Sequence, residues 1–125
     1  DMFREMYLVS VLQKLKLSDA SAGSARRTLE MACVGGARAM GLTECDDLAV
    51  GKRADLVVID LERPNMQPVN DIPCNLVYSG SKENVYMTVV NGQILYENGE
   101  FHIDEDAADI YARAEGIKKS ILAKG

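Results

Sequence analysis

Gly51-Lys52-Arg53-Ala54-Asp55-Leu56-Val57-Val58-Ile59-Asp60 places a charged turn directly before four consecutive apolar residues and closes them with an aspartate. A glycine followed by two cations suits a tight surface turn. Leu56 to Ile59 puts no polar residue on either alternating face, which is the pattern of a strand covered on both sides. Further along, Val85 to Val90 runs into Asn91-Gly92 and out again through Gln93 to Glu97. Asn-Gly supplies the two positive-φ positions of a type I′ turn, so this stretch reads as a hairpin. A second Asn-Gly, Asn98-Gly99, precedes Glu100-Phe101-His102-Ile103 and extends the hairpin to a three-stranded meander.

Working back from this stretch, Leu48 to Val50 reads as a short strand. Before it the pattern is helical. Met2 to about Leu17 carries Met2, Met6 and Val9 at three-to-four spacing, with Leu8, Val11 and Leu17 adding apolar surface outside that stripe. Such a helix is packed between layers. Ser18 to Gly23 is a small polar linker. Ser24 is the expected N-cap of a second helix that runs to Met40 and stops at Gly41. Its apolar face is Leu29, Cys33, Gly36 and Met40. Arg26 and Arg27 oppose the helix dipole in its first turn, and Gly35-Gly36 costs about 1 kcal/mol per glycine. Close packing of another backbone explains that pair; a hinge or ligand contact is the alternative.

Working forward, Pro64, Pro68 and Pro73 punctuate an extended loop from Leu61 to Cys74. Leu76-Val77-Tyr78 is either a short strand or a turn of helix. Asp104 is the expected cap of a last helix through about Ala123. Glu105 and Asp106 would lie in its first turn and Lys118 and Lys119 near its end, both favourable to the dipole.

The chain has 125 residues, 47% hydrophobic and 26% charged, which is globular composition. A complete (β/α)₈ barrel needs roughly 200 residues or more. The net charge of −5 disfavours nucleic acid and anionic membrane as partners. No apolar run approaches the roughly 20 residues of a membrane span. Three widely spaced cysteines, Cys33, Cys45 and Cys74, read as reduced thiols and point to a cytoplasmic protein. Asp1 falls straight into a helical pattern, so the chain reads as a piece of something longer.

Four stretches in order resemble the amidohydrolase superfamily, in its chlorohydrolase and aminohydrolase branch, which includes the methylthioadenosine and adenosylhomocysteine deaminases. Asp1-Met2-Phe3-Arg4-Glu5-Met6 resembles the segment after the last metal ligand. Leu29 to Leu42, through Met31-Ala32-Cys33-Val34-Gly35-Gly36-Ala37-Arg38-Ala39-Met40-Gly41, is similar to the family's late helix. Gly51 to Asp60 and Val89 to Gly92 resemble the strands that re-enter the small β-sandwich beside the barrel. The resemblance implies an α+β fragment. Residues 1–42 would be the last helical part of the barrel, 43–103 a segment of the composite β-sandwich, and 104–125 a C-terminal helix.

Family members hydrolyse C–N or C–Cl bonds of a heterocycle, with water activated on one or two divalent metals, zinc or iron. A His-x-His pair, two further histidines and an aspartate hold the metal. Neutral imidazoles and a carboxylate lower the pKa of bound water while leaving a coordination position open. This chain has a single histidine, His102. It follows the second Asn-Gly turn between Phe101 and Ile103 and reads as a surface or edge-strand residue. Asp1 aligns after the family's metal-binding aspartate, so the metal role is not carried over to it. Cys33, Cys45, Cys74 and His102 are separated by 12, 29 and 28 residues, without the close ligand pairs of structural zinc. Cys33 reads as a small core residue. Glu44-Cys45-Asp46-Asp47 and Asp104-Glu105-Asp106 read as solvated acidic surface.

The expectation is therefore a C-terminal fragment of a metal-dependent amidohydrolase, with no catalytic or metal-ligating residue and no cofactor of its own. Its partner would be the missing N-terminal barrel part of the same protein, with homo-oligomerisation as another way to cover apolar surface. The rival is a stand-alone, non-enzymatic binding module of the same descent.

Overall fold

The computed structural model describes residues 1–123. Helix α1 spans Met2–Leu17. Asp1 caps it, its carboxylate accepting the Phe3 N–H at 3.0 Å. It ends at Ser18, which takes a left-handed φ of 51°. Only Met6 and Ser10 of this helix are buried, and Leu12 and Leu15 point outward, 56% and 74% exposed.

Ser24 caps α2 (Ala25–Glu30), accepting the Arg27 N–H at 3.4 Å. Arg27 offsets its unfavourable place in the first turn with an exposed ion pair to Glu30 at 3.2 Å. The rod continues through a π turn, Met31–Gly35, into α3 (Gly36–Ala39) and stops at Gly41, φ 74°. The expected long helix is thus present, with its geometry relaxed where the glycines sit. Close packing at Gly35-Gly36 is not what the structure shows. A Cβ on either glycine would meet only the same rod, the Glu30 carbonyl at 3.5 Å or the Met31 carbonyl at 3.7 Å. Two adjacent residues without side chains weaken the α ladder and let it widen to a π turn.

The sheet is an antiparallel meander in the order β1 (Leu56–Ile59), β2 (Val85–Val90), β3 (Gln93–Glu97), β4 (Glu100–Phe101). Both Asn-Gly turns form with positive φ at each residue: Asn91 51°, Gly92 79°, Asn98 46° and Gly99 96°. Leu56 pairs with Val89, and each of the first two ladders carries one register shift. Two expectations fail here. β1 is an edge strand, and Val57 and Val58 are 51% and 41% exposed, because the helices do not close over it. Leu48 to Val50 forms no strand: Leu48 is 69% exposed and Val50 fully so. That run finds no pairing partner among the described residues, and an unpaired extended segment gains nothing over a solvated turn.

Between the layers runs a junction of short turns. Pro64–Met66 and Lys82–Asn84 are single 3₁₀ turns, and α4 (Ile72–Cys74) leads into a second π turn, Asn75–Ser79. Leu76-Val77-Tyr78 is therefore helical. Met6, Ala25 and Val77 form the buried apolar cluster, flanked by Phe3, Leu29 and Ala32. Beside it the Ser10 hydroxyl donates to the Gly23 carbonyl at 2.6 Å and meets the Tyr78 hydroxyl at 2.8 Å.

Helix α5 (Ala107–Leu122) is capped by Asp106, which accepts the Ala108 N–H at 2.7 Å. The expected cap, Asp104, stands two residues too early; in a run of three acids the one adjoining the first turn takes the role. Glu105 instead pairs with Arg113 at 2.6 Å, and Lys118 with Glu115 at 3.1 Å. No residue of α5 is buried. No helix among the described residues is long and apolar enough to cross a membrane.

Candidate functional site

The helical layer and the sheet face each other across an open groove of about 830 Å³. Phe3, Met6 and Leu29 line it from the helices, and Leu56, Val85 and Val89 from the sheet. No wide helix–sheet interface fills it. Polar junctions set the walls apart.

The first junction centres on Asp46. Its carboxylate accepts Arg38 Nε at 3.0 Å from the end of α3 and Lys52 Nζ from the turn before β1. It is buried, 7% exposed, so the solvated reading of this acid is corrected. Two cations converge on it from segments adjacent to the two walls, a convergence that no local pattern announces. The hydrogen bond from Lys52, then that from Arg38, holds the Asp46 carboxyl below the usual aspartate range.

The second junction centres on Asn84, 1% exposed. Its side-chain oxygen accepts the Ser81 N–H at 2.9 Å and Asn65 Nδ2 at 2.8 Å, and its Nδ2 donates to the Asp60 carbonyl at 3.3 Å. Asn65 also donates to the Ser79 carbonyl at 2.7 Å. Asn75 braces the same loop, giving Nδ2 to the Met66 carbonyl at 2.8 Å and accepting from the Asn70 and Asp71 amides. Sequence reasoning missed these asparagines. The one local signal was Ser81 three residues before Asn84, a reciprocal capping arrangement ahead of an apolar strand.

A third contact joins the two stretches that decided the fold. The Gly92 N–H donates to the Ala54 carbonyl at 3.0 Å, and Asn91 donates to Asp55 Oδ1. The charged turn before β1 and the Asn-Gly turn are one hydrogen-bonded unit.

Residues considered for chemistry are dispersed. His102 is exposed beyond β4, with its amide donating to the Leu95 carbonyl at 2.9 Å. Asp1 lies at the groove mouth with its carboxylate engaged in the cap of α1. Cys33 is an exposed groove-lining thiol and not a core residue, because the layer that would cover its helix face is absent from the described residues. Cys45 also lines the groove, and Cys74 is exposed on α4. Burial pushes the Cys33 and Cys45 thiols up, and the Asp71 carboxylate does the same to Cys74. Raised thiols are poor nucleophiles and poor metal ligands at neutral pH. Asp104, Glu105 and Asp106 are exposed. Among the described residues, no three His, Cys, Asp or Glu side chains converge as a metal site. The arrangement can seat an apolar element; it holds no nucleophile with a base beside it.

Known proteins share this architecture. The chain is 42% identical over 98 residues to a 5'-deoxyadenosine deaminase of Methanosarcina acetivorans, covering 78% of this chain and 22% of that protein. It is 36% identical over 124 residues to a 5-methylthioadenosine/S-adenosylhomocysteine deaminase of Nitratidesulfovibrio vulgaris, covering 99% of this chain and 28% of that one. In three dimensions it matches an adenosine deaminase from Xanthomonas campestris with bound zinc, at a TM-score of 0.91 and 34% identity, over 98% of this chain and 28% of that one. Atrazine chlorohydrolase from Arthrobacter aurescens TC1, complexed with zinc, matches at a TM-score of 0.79 and 26% identity, over 91% of this chain and 25% of that one. The chain thus spans about a quarter of the length of these relatives, which are amidohydrolase-fold proteins. With the amidohydrolase family model matching residues 1–95, the chain belongs to the amidohydrolase family.

Proposed function

We propose that the chain is the C-terminal portion of a metal-dependent amidohydrolase whose reaction is hydrolytic deamination or dechlorination of a heterocycle, and that it supports this reaction without carrying it out. In this reading residues 1–42 end the barrel, 43–103 contribute to a composite β-sandwich whose next strand would pair on the open edge of β1, and 104–125 form the closing helix. The cytoplasm is the site of action, in keeping with three unpaired cysteines.

One observation carries the proposal: a near-complete match of this chain to little more than a quarter of a zinc-bound deaminase. The family's metal does not fit the residues present. Asp46 is taken by two cations, Asp1 by a helix cap, and His102 stands exposed at the far end of the meander. No step is therefore routed through a metal on this chain. Its own residues close the fold and fix the turn before β1. The rival reading, a stand-alone module, fits the open groove and the uncovered α5 less well.

The test is to express the whole reading frame that contains this chain beside the 125-residue chain itself. Each is analysed for zinc and iron and assayed with deoxyadenosine-type nucleosides and chlorotriazines. The whole polypeptide should bind metal stoichiometrically and release ammonia or chloride; the 125-residue chain should do neither. Turnover by the short chain, or a reading frame without a His-x-His pair, would overturn the proposal.

A further inference from the structure

We infer that the groove and the apolar stripe of α5 form a two-part docking surface, occupied by the N-terminal remainder of the same polypeptide. The inference rests on the functional reading above and names the surfaces through which that portion is recognised.

The first support is area. The chain exposes 9301 Å², whereas a globular monomer of its mass exposes about 6,600 Å², an excess of about 2,700 Å². A second copy in a standard interface would cover about 800 Å² of each partner, under a third of that excess. An obligate interface has the required scale.

The second support is α5. Ala107, Ile110, Ala114, Ile117 and Ile121 alternate at three and four residues, a continuous seam along one side of the helix. Yet Ile117 and Ile121 remain 60% and 65% exposed. A lone helix of this length is marginal in water. Nevertheless a crystal structure of a longer protein shares its placement, as the match over 98% of this chain shows. What holds α5 in that protein lies in the 72% of its length outside the match, the balance of the 28% covered.

The third support is the chemistry of the groove. A small-molecule site of this size presents convergent polar groups among apolar walls. Here the carboxylates of Asp1, Asp46 and Asp55 are engaged by the Phe3 amide, by Lys52 with Arg38, and by the Asn91 amide. Apolar walls with occupied acids suit packed side chains.

Two measurements test this. Cys33 lines the groove and reports its occupancy. Its labelling by N-ethylmaleimide is followed by peptide mass spectrometry in the 125-residue chain and in the whole polypeptide, each relative to the denatured rate. The whole polypeptide should label at least tenfold more slowly. Separately, Ile117→Lys should leave the circular dichroism of the 125-residue chain unchanged and lower the Tm of the whole polypeptide by several degrees. Equal labelling in both forms, or an unchanged Tm, would overturn the inference. So would protection of Cys33 in the short chain that rises with concentration and a doubling of mass, which would make a second copy the occupant. A whole polypeptide that protects Cys33 but lacks metal and turnover would uphold the docking surface and sink the functional reading. An active, metal-loaded polypeptide with a fast-labelling Cys33 would do the reverse.

Discussion

The junction from Pro64 to Asn84 and the helix α5 differ in how completely each is satisfied within the chain. The junction has little regular structure, but it holds the fully buried Met66, Val77 and Asn84, and its three asparagines Asn65, Asn75 and Asn84 are hydrogen-bonded from both ends of the amide. Helix α5 has ideal caps and local ion pairs, and buries nothing. Irregular backbone is stable where polar groups are paired and side chains packed. Regular backbone without packing is only locally consistent. The junction is finished inside this chain, and α5 is finished by something else.

The largest effect expected from that contrast falls on Asn84. Asn84→Ala removes the acceptor for Ser81 and Asn65 and the donor to the Asp60 carbonyl in a buried site. Stranding those groups should cost about 3 kcal/mol, read as a fall in the urea midpoint. A cost below about 1 kcal/mol would mean that water already competes for these bonds, and the junction would be no more complete than α5. Next comes Gly80, where a Cβ would lie 2.5 Å from the Leu76 carbonyl and 2.7 Å from the Phe3 ring. Its φ of −67° is ordinary, so the demand for glycine is purely one of space. Gly80→Ala should cost about 2 kcal/mol by overpacking. Replacement of Phe3 by Leu in the same background should recover part of that loss.

These two residues also show why the fold was partly legible beforehand. Asn91-Gly92 and Asn98-Gly99 announced their turns because a type I′ geometry is demanded locally by the residues that make it. Ser24 and Gly41 marked the helix ends for the same reason. Asn84 and Gly80 answer to atoms far away in sequence, Asn65 and Phe3, and a single sequence does not show that proximity. Asp46 was misread similarly: an acid between a glutamate and an aspartate looks solvated until Arg38 and Lys52 are brought to it. The expected burial of Val57, Val58 and Cys33 presupposed a covering layer that the described residues do not include.

Asp46 provides a smaller, pH-dependent effect, because Arg38 is largely exposed and solvent screens its charge. The folded-state pKa is depressed, so the stabilisation is present above the ordinary aspartate value of about 3.9 and is lost as the pH falls through the folded value. Asp46→Asn should therefore be less stable than the parent at pH 7, with the difference shrinking below about pH 3.9. A gap that persists unchanged into strong acid would show that the link between Arg38 and Lys52 acts by shape and not by charge.

The smallest effect is expected at the other pole of the comparison. Ile117 is 60% exposed and touches no buried cluster, so Ile117→Lys should change the unfolding free energy of the 125-residue chain by less than about 0.5 kcal/mol. The large side chain and the drastic change of polarity make that neutrality informative. Were the substitution to cost more than about 1 kcal/mol, the seam of α5 would already be covered within the chain or by a second copy. The contrast with the junction would then be one of degree. Neutrality at Ile117 beside a heavy loss at Asn84 would show that packing and pairing, and not regularity of backbone, decide which parts of this chain hold themselves together.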